Sequence, residues 1–239
     1  RRDCRNRAAS GRYRDAMSMI ARRTFLALTT SLVAVRTAFA DEFVLRGDDG
    51  HAVQNIRIPP ELSPNNLPGI VWVGPEQADA TLVEFFDYNC SWCRKAVTDL
   101  DALLKKDKSF RLGLVNYAIF GIGSVQAAKV QQAVLKLYGP ARAYAYHQAM
   151  FARRGKNDGQ SALAVVASLG LDVAKVTDAA DGDDVTRVMT RQAKLAEALG
   201  FNATPSFAMN GTGFLGYPGP RAIAGMIESV RSCEMIACG

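Results

Sequence analysis

The tightest constraint on the fold of this chain is the passage from residues 81–86 (TLVEFF) into Cys90-Ser91-Trp92-Cys93. The first segment is almost continuously apolar apart from Glu84, the pattern of a central strand buried on both faces. Beyond the cysteines, apolar residues fall at 93, 96, 97, 100, 103 and 104, with Arg94, Lys95, Asp101 and Lys105 between them. That spacing predicts an amphipathic helix. Cys90 therefore stands where a buried strand ends and a helix begins, so unpaired backbone N–H groups and the helix dipole face its sulfur. Both favour the thiolate and lower its pKa, marking Cys90 as a nucleophile and good leaving group. Two intervening residues let Cys93 fold back onto it, and the apolar face of the helix shelters Cys93 as a resolving thiol.

A bare C-x-x-C also serves zinc sites and structural disulfides. Zinc wants four ligands, yet the second cysteine pair begins 233 − 93 = 140 residues beyond Cys93, and the only histidines are His51 and His147. A bridge closing so short a loop removes little chain entropy, which disfavours a purely structural disulfide. The setting favours a redox pair.

The remaining segments assemble around that junction. Residues 41–58 alternate weakly about Asp48-Asp49-Gly50 and read as a hairpin. Residues 59–68 (PPELSPNNLP) read as a connecting loop without regular structure, and 70–73 as a short strand. Residues 111–119 make another strand, after which helical patterns run at 124–138, 141–152, 160–169, 172–180 and 184–199. In the last, Val185, Val188, Met189, Leu195, Ala196 and Leu199 share a face. Strands resume at 205–209 and 213–217 across Asn210-Gly211, and a helix at 220–233 closes the chain. The order is a βαβ unit interrupted by a helical block and completed by a ββα unit. His147, with Tyr144, Met150 and Phe151 at helical spacing, reads as a packed residue rather than a ligand.

Charge divides unevenly. Residues 1–40 hold nine Arg against Asp3 and Asp15, a net +7; the whole chain is +6, so residues 41–239 carry 6 − 7 = −1. No basic face remains to point to nucleic acid. Residues 1–16 read as an upstream extension before Met17 or Met19. Arg22-Arg23, an apolar run and Ala38-Phe39-Ala40 then have the order of a cleavable secretory signal. The run from Phe25 to Val35 is 11 residues, short of the roughly 20 that span a bilayer. Arg22-Arg23-Thr24-Phe25-Leu26 resembles a twin-arginine export signal, and equally fits an ordinary basic region. Cleavage after Ala40 leaves 239 − 40 = 199 residues with four cysteines, an even count that suits an oxidising compartment.

The stretch Glu84-Phe85-Phe86-Asp87-Tyr88-Asn89-Cys90-Ser91-Trp92-Cys93 resembles the active-site segment of DsbA-like thiol:disulfide oxidoreductases. The likeness continues to Leu195-Ala196-Glu197-Ala198-Leu199-Gly200 and Ala203-Thr204-Pro205-Ser206-Phe207, covering about residues 70–231 in order. It implies an α/β protein of thioredoxin-like fold with an inserted helical domain. The implied chemistry is cofactor-free disulfide exchange through a mixed disulfide on Cys90, resolved by Cys93. Pro205 matches the cis-proline facing the cysteines, and the Thr204 backbone would offer an edge for a substrate segment; the alternative is a trans-proline opening an edge strand. Glu84 matches a buried carboxylate that moves protons to and from Cys93; the alternative is a carboxylate paired with a lysine. One departure matters: the strongest oxidases of the family carry Pro-His between the cysteines, and this chain has Ser91-Trp92. The missing imidazole leaves the direction of exchange open, while Trp92 offers an apolar platform or caps the helix start.

The expected organisation is a leader over 1–40, an N-terminal hairpin and linker over 41–69, and a domain over 70–239 with its helical insertion at about 123–200. The expected function is an exported, periplasmic oxidoreductase acting on thiols of unfolded or newly exported proteins. A membrane or periplasmic redox partner would reset it. Neither metal nor nucleic acid is expected. A monomer is expected, because 41–69 is short for the dimerising domain of related isomerases. Alternatives are an isomerase or reductase of the same fold, a periplasmic copper-binding thiol chaperone, and a holdase using an apolar groove at Trp92. Against copper, no Met or His lies within ten residues of Cys90 or Cys93. Cys233 and Cys238 read as a structural disulfide pinning the C-terminus, with a second redox pair as the alternative.

Overall fold

The computed structural model describes residues 44–238, so the expected leader over 1–40 lies outside the described residues. Strands β1 (Leu45–Arg46) and β2 (Ala52–Val53) form a small antiparallel hairpin, and β3 follows at Asn55–Arg57. Next come β4 (Val71–Val73), β5 (Ala80–Phe86), α1 (Ser91–Lys106) and β6 (Phe110–Asn116). The helical block comprises α2 (Ile122–Ala152), α3 (Gly159–Ser168), α4 (Val173–Ala180) and α5 (Asp183–Ala198). Strands β7 (Ser206–Met209) and β8 (Thr212–Leu215) and helix α6 (Pro220–Cys233) complete the chain.

The main sheet has six strands in the order β3-β8-β7-β5-β6-β4. β5 and β6 run parallel, joined through α1, while β7 lies antiparallel on the other side of β5. The continuous apolar run of β5 is explained by this central place. Leu82 and Phe86 face a core shared with Leu100 of α1 and Ile223, Met226 and Ile227 of α6. Val83 and Phe85 face a second core with Ala196 of α5, Leu199 and Phe201. Glu84 alternates with Val83 and Phe85, so it points to the α1 side.

Local chemistry sets the element ends. Asn210 and Gly211, at φ 43° and 76°, make the tight β7–β8 turn, a geometry that Asn-Gly adopts readily. Gly139, at φ 81°, breaks α2 just before Pro140, which accounts for the two sequence patterns at 124–138 and 141–152. Pro220 opens α6 at a position where its missing N–H costs nothing. The Asp48 carboxylate accepts from the Arg221 and Ala222 N–H groups at 3.2 and 2.7 Å, so the first hairpin also caps α6.

Three expectations shift. Among the described residues the hairpin runs from 45 to 53, and β3 leaves it to pair antiparallel with β8, Ile56 opposite Gly213. The loop at 59–68 contains two short 3-10 turns, Pro60–Leu62 and Pro64–Asn66, each begun by a proline that needs no donor there. The strand expected over 111–119 ends at Asn116, because the Ile119 and Phe120 N–H groups turn toward a carboxylate of the cysteine loop.

Candidate active site

β5 delivers the loop Asp87–Asn89 and then Cys90, which serves as N-cap of α1 with extended backbone at φ −81°, ψ 122°. The Cys90 sulfur accepts the Cys93 N–H at 3.1 Å, and its thiol donates to the Thr204 carbonyl at 3.1 Å. Thr204–Pro205 is a cis peptide bond at the entry to β7, so strand pairing of β7 with β5 brings it against the motif from 114 residues away in sequence. Both cysteines are free thiols and both are buried, while Trp92 between them is 57% exposed.

The two thiols differ sharply in acidity. The Cys93 thiol, the Thr204 side chain and the Cys93 and Trp92 N–H groups favour the Cys90 thiolate, and together they outweigh burial and bring its pKa down to about 6. The Thr204 hydroxyl is buried without a partner of its own, which leaves it available as a donor to that thiolate. Cys93 lies the other way. Burial first, then the Cys90 side chain and the charge of Glu84, push its thiol far above the ordinary range.

Glu84 sits on the same sheet face as Leu82 and Phe86, opposite Leu114 of β6 and Phe207 of β7. These apolar neighbours seal it from water at 1% exposure, and its Oε2 has no hydrogen-bond partner. Burial, seconded by charge on Cys90, raises its pKa to about 8. No lysine pairs with it among the described residues, against the alternative considered above. The structure thus gathers Glu84, Cys90, Cys93, Thr204 and Pro205 at one place.

Sequence reasoning missed the residue that shapes this loop. Asp87 is buried, and its Oδ1 accepts from the Asn89 N–H at 2.7 Å and the Ser124 hydroxyl at 2.6 Å. Its Oδ2 accepts from the Ile119 and Phe120 N–H groups at 2.7 and 2.8 Å. Asn89 extends the network, donating to Ser124 Oγ and to the Asn157 carbonyl, both at 2.9 Å, and accepting the Asn157 N–H at 2.8 Å. Asn157 returns a bond to the Tyr88 carbonyl at 2.8 Å. Arg94 of α1 adds a second tie, donating to the carbonyls of Phe151 and Arg153. The available signal was the pair Asp87-x-Asn89, an Asx turn that closes a loop onto its own backbone.

Cys233 and Cys238 do not join this site. They are bonded to each other, with Cα atoms 6.1 Å apart. Arg231, two residues earlier, pairs with Asp79 before β5 at 2.6 Å and with Asp107 after α1 at 2.9 Å. The bridge therefore lies at the end of the sheet opposite Cys90. His147 is packed inside α2, edge-on to Phe86 at 4.6 Å, and burial lowers its pKa to about 3. Among the described residues no group of three or more His, Cys, Asp or Glu could hold a metal ion, and no helix is long and apolar enough to cross a membrane.

With this geometry in place, the chain can be set beside known proteins. A family model described as Thioredoxin matches residues 66–229. A thioredoxin-like oxidoreductase from Silicibacter pomeroyi DSS-3 superposes with a TM-score of 0.67 at 28% identity, over 73% of this chain and 99% of that one. The thiol-disulfide exchange protein alpha-DsbA2 from Wolbachia pipientis gives a TM-score of 0.62 at 22% identity, over 66% and 86% of the two chains. A stretch of 160 residues, 66% of this chain, is 26% identical to part of the Na(+)/H(+) antiporter NhaA of Herminiimonas arsenicoxydans. The chain spans only 25% of the length of that relative. From the extent of the family match the chain belongs to the thioredoxin family, and the solved structures share its thioredoxin-like fold.

Proposed function

We propose that this protein exchanges disulfides with thiols of exported, incompletely folded proteins, using Cys90 as nucleophile and Cys93 as resolving thiol. The observation that carries the reading is the split between the two sulfurs: Cys90 with a pKa near 6 at a helix start, and Cys93 buried and held far higher. Neighbouring groups pushed apart in pKa take distinct roles in proton and sulfur transfer.

In the oxidising direction, a substrate thiolate attacks Cys90 of the Cys90–Cys93 disulfide. The S–S bond breaks and Cys93 leaves. Its thiolate is strongly disfavoured, so it takes a proton at once, and Glu84, protonated below about pH 8, supplies it. A second substrate thiolate then attacks the substrate sulfur of the mixed disulfide, and Cys90 leaves as the stable thiolate. The substrate has lost two electrons and the cysteine pair has gained them. A redox partner in the membrane or periplasm accepts those electrons and restores the disulfide. The Thr204 backbone beside Cys90 aligns the substrate segment for attack.

Export to the periplasm fits the signal-like order of residues 22–40 and the Cys233–Cys238 bridge, which suits an oxidising compartment. Isomerase or reductase action by the same residues is the second reading, supported by Ser91-Trp92, which places no imidazole between the cysteines.

The test is exchange with a model disulfide peptide. Cys90→Ser abolishes it, and wild-type turnover in that variant would refute the proposal. The reduction potential sets the direction: a value near about −120 mV favours disulfide donation and one near about −270 mV favours reduction.

A further inference from the structure

Beside Cys90 lies an open cleft of about 470 Å³ bounded by Asn89, Cys90, Ser91, Arg94, Phe120, Gly155 and Lys156. Two cations line it and no carboxylate does. Lys156 is exposed, and so is Arg154, which precedes Gly155 in sequence but does not bound the cleft.

On the neighbouring helices Lys95 pairs with Asp99, Lys105 with Asp101 and Lys136 with Asp184, while Lys106 and Arg142 have no ion pair among the described residues. Arg154 and Lys156 have no carboxylate within ion-pair distance among the described residues. The two acids nearest in the loop network are occupied. Asp87 takes four donors, and Asp158 caps α3 through the Ser161 N–H at 2.9 Å. The loop that carries Arg154 and Lys156 is fixed over the sulfur. Arg94 holds the carbonyls of Phe151 and Arg153, and Asn89 holds both backbone groups of Asn157.

We propose that this cleft is a specificity site for a carboxylate close to the sulfur under attack, either in a small anionic disulfide or on an acidic residue beside a peptide cysteine. The proposal rests on the exchange chemistry assigned to Cys90. Phe120 forms the apolar wall against which the ligand's carbon chain lies, Lys156 meets its charge in the cleft, and the exposed Arg154 two residues earlier adds to the local positive field. With a disulfide substrate RS–SR, the Cys90 thiolate displaces one RS⁻ and forms the Cys90–S–SR bond. Cys93 then attacks the Cys90 sulfur while its proton passes to the departing sulfur, and the second half leaves as the thiol RSH. The disulfide gains two electrons and the cysteine pair is oxidised.

The experiment measures oxidation of the reduced protein by three disulfides of one size: dianionic dithiodipropionate, neutral hydroxyethyl disulfide and dicationic cystamine. The dianion is expected to react about tenfold faster than the dication, with the neutral compound between them, and high salt should compress that spread. In the double variant Arg154→Gln/Lys156→Gln the anion-to-neutral rate ratio is expected to fall about fivefold, as loss of two exposed ion pairs would give. A wild-type ratio near one, or a ratio untouched by the double variant, overturns the proposal. Failure of the neutral disulfide to oxidise the pair refutes the exchange reading and this one with it. Peptide mixed disulfides with Glu or Lys beside the cysteine separate the sources. A matching preference for Glu assigns the site to polypeptides, and a preference confined to the small dianion assigns it to low-molecular-weight disulfides.

Discussion

The thiol of Cys90 and the carbonyl of Thr204 meet at 3.1 Å, linking the start of α1 to the residue before the cis-proline. That contact belongs to the protonated sulfur, since the carbonyl can only accept. On ionisation the Thr204 hydroxyl becomes the useful group, a buried donor otherwise without a partner. Thr204→Val keeps the shape and removes the donor. The Cys90 pKa is expected to rise by about one unit, in line with one hydrogen bond to a charged group. Thiolate absorbance against pH measures it, and an unmoved midpoint contradicts the assignment.

The separation of the two thiols predicts a simple titration. Alkylation of the reduced protein should switch on with a midpoint near pH 6 and modify Cys90 alone. Cys93, buried and driven upward, should stay unmodified until the protein unfolds. Mass mapping of the labelled cysteine checks both statements.

Glu84 ties stability to pH. Its folded pKa is raised from 4.5 to about 8, so the fold prefers the protonated acid. Its contribution is fully present below about pH 4.5 and is lost as pH rises towards 8, because the unfolded chain gives up the proton freely. Glu84→Gln should therefore gain stability over wild type, progressively across that window, by several kcal/mol at its upper end. Urea unfolding of the reduced proteins from pH 4 to 9 tests it, and a constant difference would show that Glu84 titrates normally.

Asp87 satisfies four donors with two oxygens. Asp87→Asn offers one acceptor and sets an NH₂ group among donors. The expected loss is about 2–4 kcal/mol, the scale of one or two buried donors left unpaired. The loss should be local as well as global, with faster amide exchange at Ile119 and Phe120 than in β5.

Removal of the far bridge should separate stability from chemistry. Cys233 and Cys238 are five residues apart, so opening so short a loop costs about 2 kcal/mol by chain entropy. In Cys233→Ser/Cys238→Ser the melting temperature should drop while the exchange rate at Cys90 holds. A lost rate would mean that the bridge takes part in electron transfer.

The main architecture was legible because it depends on long, strongly patterned segments. TLVEFF reads as a buried strand and becomes the centre of the sheet; 220–233 reads as a helix and becomes α6 with the same ends. What stayed hidden depends on partners distant in sequence. β3 is only three residues, too short to stand out from the hairpin before it, and β8 opposite it makes it a strand. In α5, Val188 and Met189 belonged to the apolar pattern, yet both are only half-buried while the polar Gln192 is fully buried. It accepts the Asn116 N–H at 3.2 Å and donates to the Pro68 carbonyl at 3.0 Å, seaming the helical block to β6 and the approach to β4. Hydropathy cannot identify a buried amide whose partners lie 76 and 124 residues away. At the site, Cys90 and Cys93 were visible from spacing, and Thr204-Pro205 and Glu84 through the family resemblance. Asp87, Asn89 and Asn157 were not, because their roles are written in backbone groups rather than in residue types.

The six-stranded sheet is closed on each side by a strand of only three residues, β3 beyond β8 and β4 beyond β6. A long bare margin would invite any extended chain to zip onto it, and the proposed clients are extended chains. With both margins so short, a visiting polypeptide finds little ladder to follow there. On the proposed function its foothold is then the neighbourhood of Cys90, so docking at the flanks would not compete with exchange there.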